Sequence, residues 1–187
     1  MRIATYNINN VGSRLDNLLD WLAEAEPDVV CPQELKAEQG RFPAEPLEQM
    51  GYGAVWKGQR TWNGVAILAR GMTPVLTRTA LPHDPDPRQA RYIEAAVNGV
   101  LVGCLYLPNG NPAPGPKFTY KLAWFDSLLS HARALLDSGA PVVLAGDYNV
   151  VPTEADIYPK HSYSGDALLR IETREAFDCS TRAGPTP

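Results

Sequence analysis

Four short segments of this 187-residue chain carry side chains suited to phosphate and metal chemistry. They are Thr5-Tyr6-Asn7-Ile8-Asn9, Gln33-Glu34-Leu35-Lys36, Tyr106-Leu107-Pro108-Asn109-Gly110 and Gly146-Asp147-Tyr148-Asn149. Each lies at the end of a run that reads as a β-strand, and in open α/β sheets ligands gather at the carboxyl ends of strands. Asn7, Glu34, Asp147 and Asn149 offer two carboxylates and two amide oxygens. Hard oxygen donors of this kind suit Mg²⁺ or Mn²⁺, which keep several waters and engage substrate phosphate. Gly146 is expected to let the chain turn sharply, so that Asp147 and Asn149 project to one side by the two-residue period. Taken singly, each residue has a plainer role. Asp and Asn after a strand form turns, a Glu there is a surface residue or a helix-start charge, and a Tyr at a strand end packs half-buried. Only their joint occurrence points to a site. His83, His131 and His161 fit no zinc spacing and are expected at the surface. Cys31 and Cys104 are expected as apolar strand residues.

The elements that must carry these segments follow from periodicity. Arg2 to Ile8 alternates and is rich in β-branched residues, a strand. Leu15, Leu18, Leu19 and Leu22 fall at i, i+3, i+4 and i+7, which predicts an amphipathic helix over Leu15–Glu26 with Ser13 as its N-cap. Val29-Val30-Cys31 starts a second, buried strand, and strand–helix–strand with a short return is a βαβ unit that favours an α/β sheet. A short helix is expected over Pro43–Met50, and strands over Ala54–Gln59, Gly64–Arg70 and Pro74–Arg78. Leu81 to Gln89 reads as a loop. Arg91–Val97 and Val100–Leu107 flank Asn98-Gly99, a strong hairpin signal. The Pro- and Gly-rich stretch from Leu107 to Lys117 reads as a loop or ordered turn. Tyr120–Asp137 reads as a helix with Leu122, Phe125, Leu129, Ala132 and Leu136 along one face. Val142–Ala145 is all apolar and is expected as a central buried strand, and Gly165–Asp178 as a modest helix. One domain is expected over 1–178, followed by a frayed tail over 179–187.

Composition sets outer limits. Apolar residues make up 44% and charged residues 20% of the chain, an ordinary globular balance that excludes wholesale disorder, a coiled coil or a collagen-like chain. A chain of this length buries ~70% of its unfolded surface. No apolar run approaches the ~18–20 residues that span a bilayer, and the start, Met1-Arg2-Ile3-Ala4-Thr5, lacks the apolar core of a signal peptide. The three cysteines, Cys31, Cys104 and Cys179, are expected as reduced thiols of a cytoplasmic protein. The net charge of −4 hides a pattern. Residues 1–50 carry a net −5, residues 51–125 a net +5 and residues 126–187 a net −4. In the basic middle third, Lys57, Arg60, Arg91, Lys117 and Lys121 interleave with Trp56, Trp62, Tyr92, Tyr106, Phe118 and Tyr120. Cations for phosphate and flat rings for bases suit a nucleic-acid surface. The alternative is a solvated face over a core that holds the rings.

The combination of segments resembles the exodeoxyribonuclease III family, within the wider endonuclease/exonuclease/phosphatase superfamily. The matching stretches are Ile3–Asn9, Pro27–Lys36, Gly51-Tyr52, Gly58-Gln59, Asn63–Leu68, Gln89–Arg91, Tyr106–Gly110, Lys117–Lys121 and Gly146–Pro152, in the family's order. The resemblance implies a four-layer α/β sandwich of two packed mixed sheets flanked by helices, incomplete in its C-terminal half. It implies Mg²⁺- or Mn²⁺-dependent hydrolysis of DNA phosphodiesters, as a 3′–5′ exonuclease and beside abasic sites. The partner would be double-stranded DNA with abasic sites or 3′ ends, met by a cytoplasmic monomer with no membrane role. By position, Glu34 resembles the family's metal-binding Glu, with Asn7 close to the ion. Asp147 resembles the Asp that handles a proton, and Asn149 its partner at metal and scissile phosphate. Tyr106 resembles the tyrosine whose hydroxyl meets the phosphate, and Asn109 and Arg91 fall on the substrate side. Two departures stand out. Pro32 replaces an apolar residue with a backbone N–H two residues before Glu34, at an expected cost of ~1 kcal/mol or more for the lost ladder bond. The family's aromatic abasic-pocket segment, a further Asp and a closing Ser-Asp-His do not occur, so a truncated chain of reduced or absent activity is expected. The alternatives are a non-catalytic fragment or DNA-binding remnant, and a phosphoesterase acting on lipid or inositol phosphates.

Overall fold

A computed structural model describes residues 1–158 and 165–182. The described chain divides into two compact units: Met1–Ala80 with Asp86–Tyr106 and Ala140–Asp147, and Leu81–Pro85 with Leu107–Gly139 and the described residues from Tyr148 onward.

The first unit contains β1 (Ile3–Asn7), α1 (Leu15–Ala25), β2 (Val29–Gln33), α2 (Ala44–Gln49), β3 (Tyr52–Lys57), β4 (Val65–Arg70), β5 (Val75–Arg78), β6 (Tyr92–Val97), β7 (Val100–Tyr106) and, after α3 of the second unit, β8 (Val142–Asp147). They form two four-stranded mixed sheets, ordered β1-β2-β4-β3 and β5-β6-β7-β8. The predicted βαβ unit is present: β1 and β2 pair in parallel across α1. In β2 and β4 the side chains alternate between two cores, as a pleated strand requires. Val30, Ala66 and Leu68 face Leu18, Leu22 and Leu47 of the two helices. Val29, Cys31, Val65, Ile67 and Ala69 face Ile93, Ala95, Val97, Val102 and Cys104 of the second sheet. Strands covered on both faces read as continuous apolar runs, which explains Val-Val-Cys and Val-Ala-Ile-Leu-Ala. The hairpin of β6 and β7 turns through Asn98 and Gly99, both with positive φ, as expected.

Several expectations shift. The N-cap position of α1 is Arg14 without a side-chain hydrogen bond; Ser13 instead donates its N–H to Asn10 Oδ1 at 3.0 Å. An upstream Asn closes this turn, so Ser13 is not the cap. β8 lies at an edge and is half-buried along its length, not central and buried. An apolar run fixes neither position in a sheet nor depth. Gly146 makes no turn; it lies within β8, opposite Leu105. A Cβ there would run into the Leu105 backbone, so glycine is needed for close approach.

The second unit holds α3 (Pro116–Asp137) and α4 (Ile171–Arg182). α3 starts earlier than predicted because Pro116 occupies its first position, where a missing N–H costs nothing. Its buried face is Phe118, Lys121, Trp124, Phe125, Leu128, His131, Ala132 and Leu135. That face keeps Phe125 and Ala132 of the expected stripe, is otherwise rotated by about one residue from it, and leaves Leu136 exposed. The aromatic rings, larger than leucine, decide which side faces inward. His131 is therefore buried, at 6% exposure, and not a surface residue; His83 is exposed as expected, and His161 lies outside the described residues. α4 begins later than predicted because Asp166 Oδ1 takes the Leu168 N–H and the Asn111 side-chain N–H, both at 2.9 Å, making a turn there. It runs to Arg182, into the stretch expected to fray; 183–187 lie outside the described residues. Cys31 and Cys104 are buried strand residues, as expected, and Cys179 is exposed. Among the described residues no helix is long and apolar enough to cross a membrane.

Candidate active site

Two parallel strand pairs bring four of the predicted residues to common strand ends. Asn7 closes β1 and lies opposite Gln33, the last residue of β2, so Glu34 follows immediately. Tyr106 closes β7 directly opposite Asp147, the last residue of β8. Parallel register thus delivers an acid and a partner at each pair's carboxyl end. The four side chains meet. Asn7 Nδ2 donates to Glu34 Oε1 at 3.2 Å and to Asp147 Oδ2 at 2.9 Å. The Tyr106 hydroxyl donates to Glu34 Oε1 at 2.7 Å. Arg91 lies against Tyr106, its guanidinium 5.1 Å from the ring centre and its Nη1 donating to the Tyr106 carbonyl at 3.2 Å.

Glu34 adopts a left-handed backbone with φ 55°, a conformation that costs roughly 1 kcal/mol or more for a residue with a Cβ. Its surroundings impose it. Its carbonyl accepts the Asn10 N–H, and the next two N–H groups, of Leu35 and Lys36, donate to the carbonyls of Gly64 and Asn63. The Pro32 defect is absorbed nearby: the β2–β4 ladder pairs Val29, Val30 and Gln33 and skips Cys31 and Pro32. The buried Gln33 then donates its side-chain amide to Thr5 Oγ1 and to the Cys31 carbonyl, tying the strand end to β1.

The electrostatics favour an ionised Glu34 beside a protonated Tyr106. Burial raises the Glu34 pKa, but hydrogen bonds from Lys36, Tyr106 and Asn7 outweigh it and hold the carboxyl below its ordinary value. Lys36 Nζ lies 2.9 Å from Glu34 Oε2 and donates to Asn9 Oδ1 at 2.6 Å. Burial, then the hydrogen bond and charge of Glu34, push the Tyr106 phenol well above its ordinary pKa. Two carboxylates sharing one amide group fit a hard divalent cation, since Mg²⁺ is held by one or two carboxylates plus water and phosphate. A denser set is absent: among the described residues no three His, Cys, Asp or Glu side chains could hold a metal together.

The remaining predicted residues, Asn109 and Asn149, lie in the second unit and meet each other there. Asn109 Nδ2 donates to Asn149 Oδ1 at 3.4 Å, and Asn149 Nδ2 donates to the Leu107 carbonyl at 2.8 Å. Buried Lys121 donates Nζ to the carbonyls of both asparagines, at 3.1 and 2.6 Å. Lys36 and Gln33 have no expected role in the sequence, and Lys121 is expected among the surface cations. Lys36 carried a signal, as a cation two residues after an acid at a strand end. The expected basic–aromatic surface divides: Tyr92, Phe118 and Lys121 are buried, whereas Arg60, Lys117 and Trp62, at 66% exposure, face solvent.

Residues 4–187 match the Endonuclease/Exonuclease/phosphatase family. The chain is 31% identical over 162 residues to exodeoxyribonuclease III of Haemophilus influenzae, an alignment that covers 84% of this chain and 60% of that protein. A solved 3′–5′ exonuclease from Neisseria meningitidis superposes with a TM-score of 0.92 at 38% identity, covering 98% of this chain and 72% of that one. An AP endonuclease from Archaeoglobus fulgidus superposes with a TM-score of 0.90 at 31% identity, covering 98% and 71%. Two mixed sheets with helices are the architecture shared with these structures.

Proposed function

This chain belongs to the Endonuclease/Exonuclease/phosphatase family, and from that premise we propose that it is a metal-dependent DNA-repair nuclease of the exodeoxyribonuclease III type. Its substrates are phosphodiesters of double-stranded DNA at 3′ ends and beside abasic sites, in keeping with the exonuclease and AP endonuclease among its similar structures. The observation that carries the reading is the junction of Asn7, Glu34, Tyr106 and Asp147 at the ends of two parallel strand pairs.

Glu34 and Asp147, with the amide of Asn7, would hold the divalent cation, Mg²⁺ or Mn²⁺. When bound, the ion supplies Lewis-acid stabilisation of charge growing on the phosphoryl oxygens. The chain's own groups do the rest. Asp147 orients the attacking water and takes its proton. Glu34 stays ionised because three donors surround it. Tyr106 stays protonated, so its hydroxyl acts as a hydrogen-bond donor toward phosphate and not as a base. Arg91 braces the Tyr106 ring and carbonyl; in the second unit, Asn109 and Asn149 offer side-chain amides suited to phosphate.

The test incubates the protein with a duplex carrying one abasic site and a duplex with a recessed 3′ end, with and without Mg²⁺ or Mn²⁺. Metal-dependent cleavage that disappears in Asp147→Ala supports the proposal. Cleavage equal in both proteins, no cleavage of either duplex, or hydrolysis of a lipid phosphodiester in place of DNA contradicts it.

A further inference from the structure

Among the described residues Lys121 is a fully buried cationic side chain, at 0% exposure, and no role in the chemistry above falls to it. It sits in the second turn of α3, on the inward face between Phe118 and Phe125. Removing a lysine terminus from water is costly unless its donors are matched by acceptors. Here Nζ donates to the Asn109 carbonyl at 3.1 Å and to the Asn149 carbonyl at 2.6 Å. Those two residues come from loops 40 positions apart in the chain and meet through their own side chains. The local backbone is shaped around this lysine. Gly110 has φ +90°, and a Cβ on it would come within 2.7 Å of Lys121 Cδ. Asn149 has φ 47°, a left-handed backbone that needs fixing from outside.

We infer that Lys121 is a positioning residue: its buried Nζ pins the main chain of Asn109 and Asn149 and so presets both side-chain amides before a phosphate arrives. The inference deepens the proposed function, since it rests on these asparagines serving the phosphate. It places the preorganisation of those donors in a group that never touches substrate.

Two measurements decide it. In the wild-type protein, hydrogen-bond scalar couplings from Lys121 Nζ to the carbonyl carbons of Asn109 and Asn149 are expected in NMR spectra, whatever the activity. Their absence overturns the inference. In Lys121→Met, which keeps the apolar stem and removes the donors, the side-chain amide signals of Asn109 and Asn149 shift or broaden. With DNA, kcat measured well below the melting temperature falls ~10- to 100-fold, the scale of a small misplacement of reacting groups. Lys121→Arg, which restores donors, recovers part of the loss. A folded Lys121→Met with wild-type kcat and unmoved amide signals shows a merely structural lysine and overturns the inference. If Lys121→Met does not fold, the wild-type couplings decide. If the wild-type protein does not cleave DNA, the function fails while the couplings still test the lysine.

Discussion

The carboxylate cluster of the first unit and the asparagine pair of the second hold their side chains by different means. In the first, sheet register does the placing: Asn7 beside Gln33 and Tyr106 beside Asp147 are consequences of two parallel ladders. The side chains then bond to one another. In the second, Asn109 and Asn149 lie in loops, and a buried amine reaches their main chain to fix them. A ladder shares its stability among many backbone bonds, so losing one terminal side chain leaves the scaffold standing. A loop fixed by one buried donor has no such reserve. Activity and stability should therefore separate in the first cluster and move together in the second.

The largest effect expected is on turnover. Asp147→Ala should lower kcat by ~10³-fold, within the range for a positioned general base. Its melting temperature should stay within a few degrees of wild type, whereas Lys121→Met lowers both. A melting loss in Asp147→Ala as large as in Lys121→Met would erase the contrast. Next comes Gly146→Ala, which sharpens the claim that register does the placing. The added Cβ meets the Leu105 backbone, so β8 must part from β7. Denaturant unfolding should show a loss of roughly 3 kcal/mol or more, in the upper part of the range for single substitutions. A smaller loss with full activity would mean that the ladder does not set Asp147.

The smallest effect is a titration. Glu34 has a lowered folded-state pKa. Its contribution to stability is therefore fully present above the unfolded carboxylate value of about 4.3 and is lost as pH falls through the lower folded value. The Glu34 carboxyl carbon, followed by NMR, should titrate below an ordinary Glu. In Lys36→Met it should titrate higher, because the 2.9 Å ion pair is gone.

The same contrast explains what the sequence could disclose. Period-two and period-3.6 patterns located the strands and α1, and strand ends are where α/β sheets gather ligands. Asn7, Glu34, Tyr106 and Asp147 were accordingly legible, together with the βαβ unit and the Asn98-Gly99 hairpin. The inward face of α3 was legible only at Phe125 and Ala132, because leucine spacing pointed to one side while the larger rings at 118 and 124 claimed another. Lys121 was hidden by the same error, since a lysine in an amphipathic helix normally faces water. Gly146 looks like a turn residue in sequence because a glycine's need for close approach depends on a neighbouring strand that no local window contains. Ser13 lost its capping role to Asn10, whose side chain reaches it from an upstream turn.

The central claim is that the ends of β1, β2, β7 and β8 converge on one divalent-cation site. Titration of the protein with substoichiometric Mn²⁺, followed by paramagnetic broadening of amide signals, tests it without any DNA. Selective loss of signals at residues 7, 34, 106 and 147, reversed by chelation and absent in Asp147→Ala, is the result expected. Uniform broadening, or selective loss at residues elsewhere with these four untouched, would contradict it.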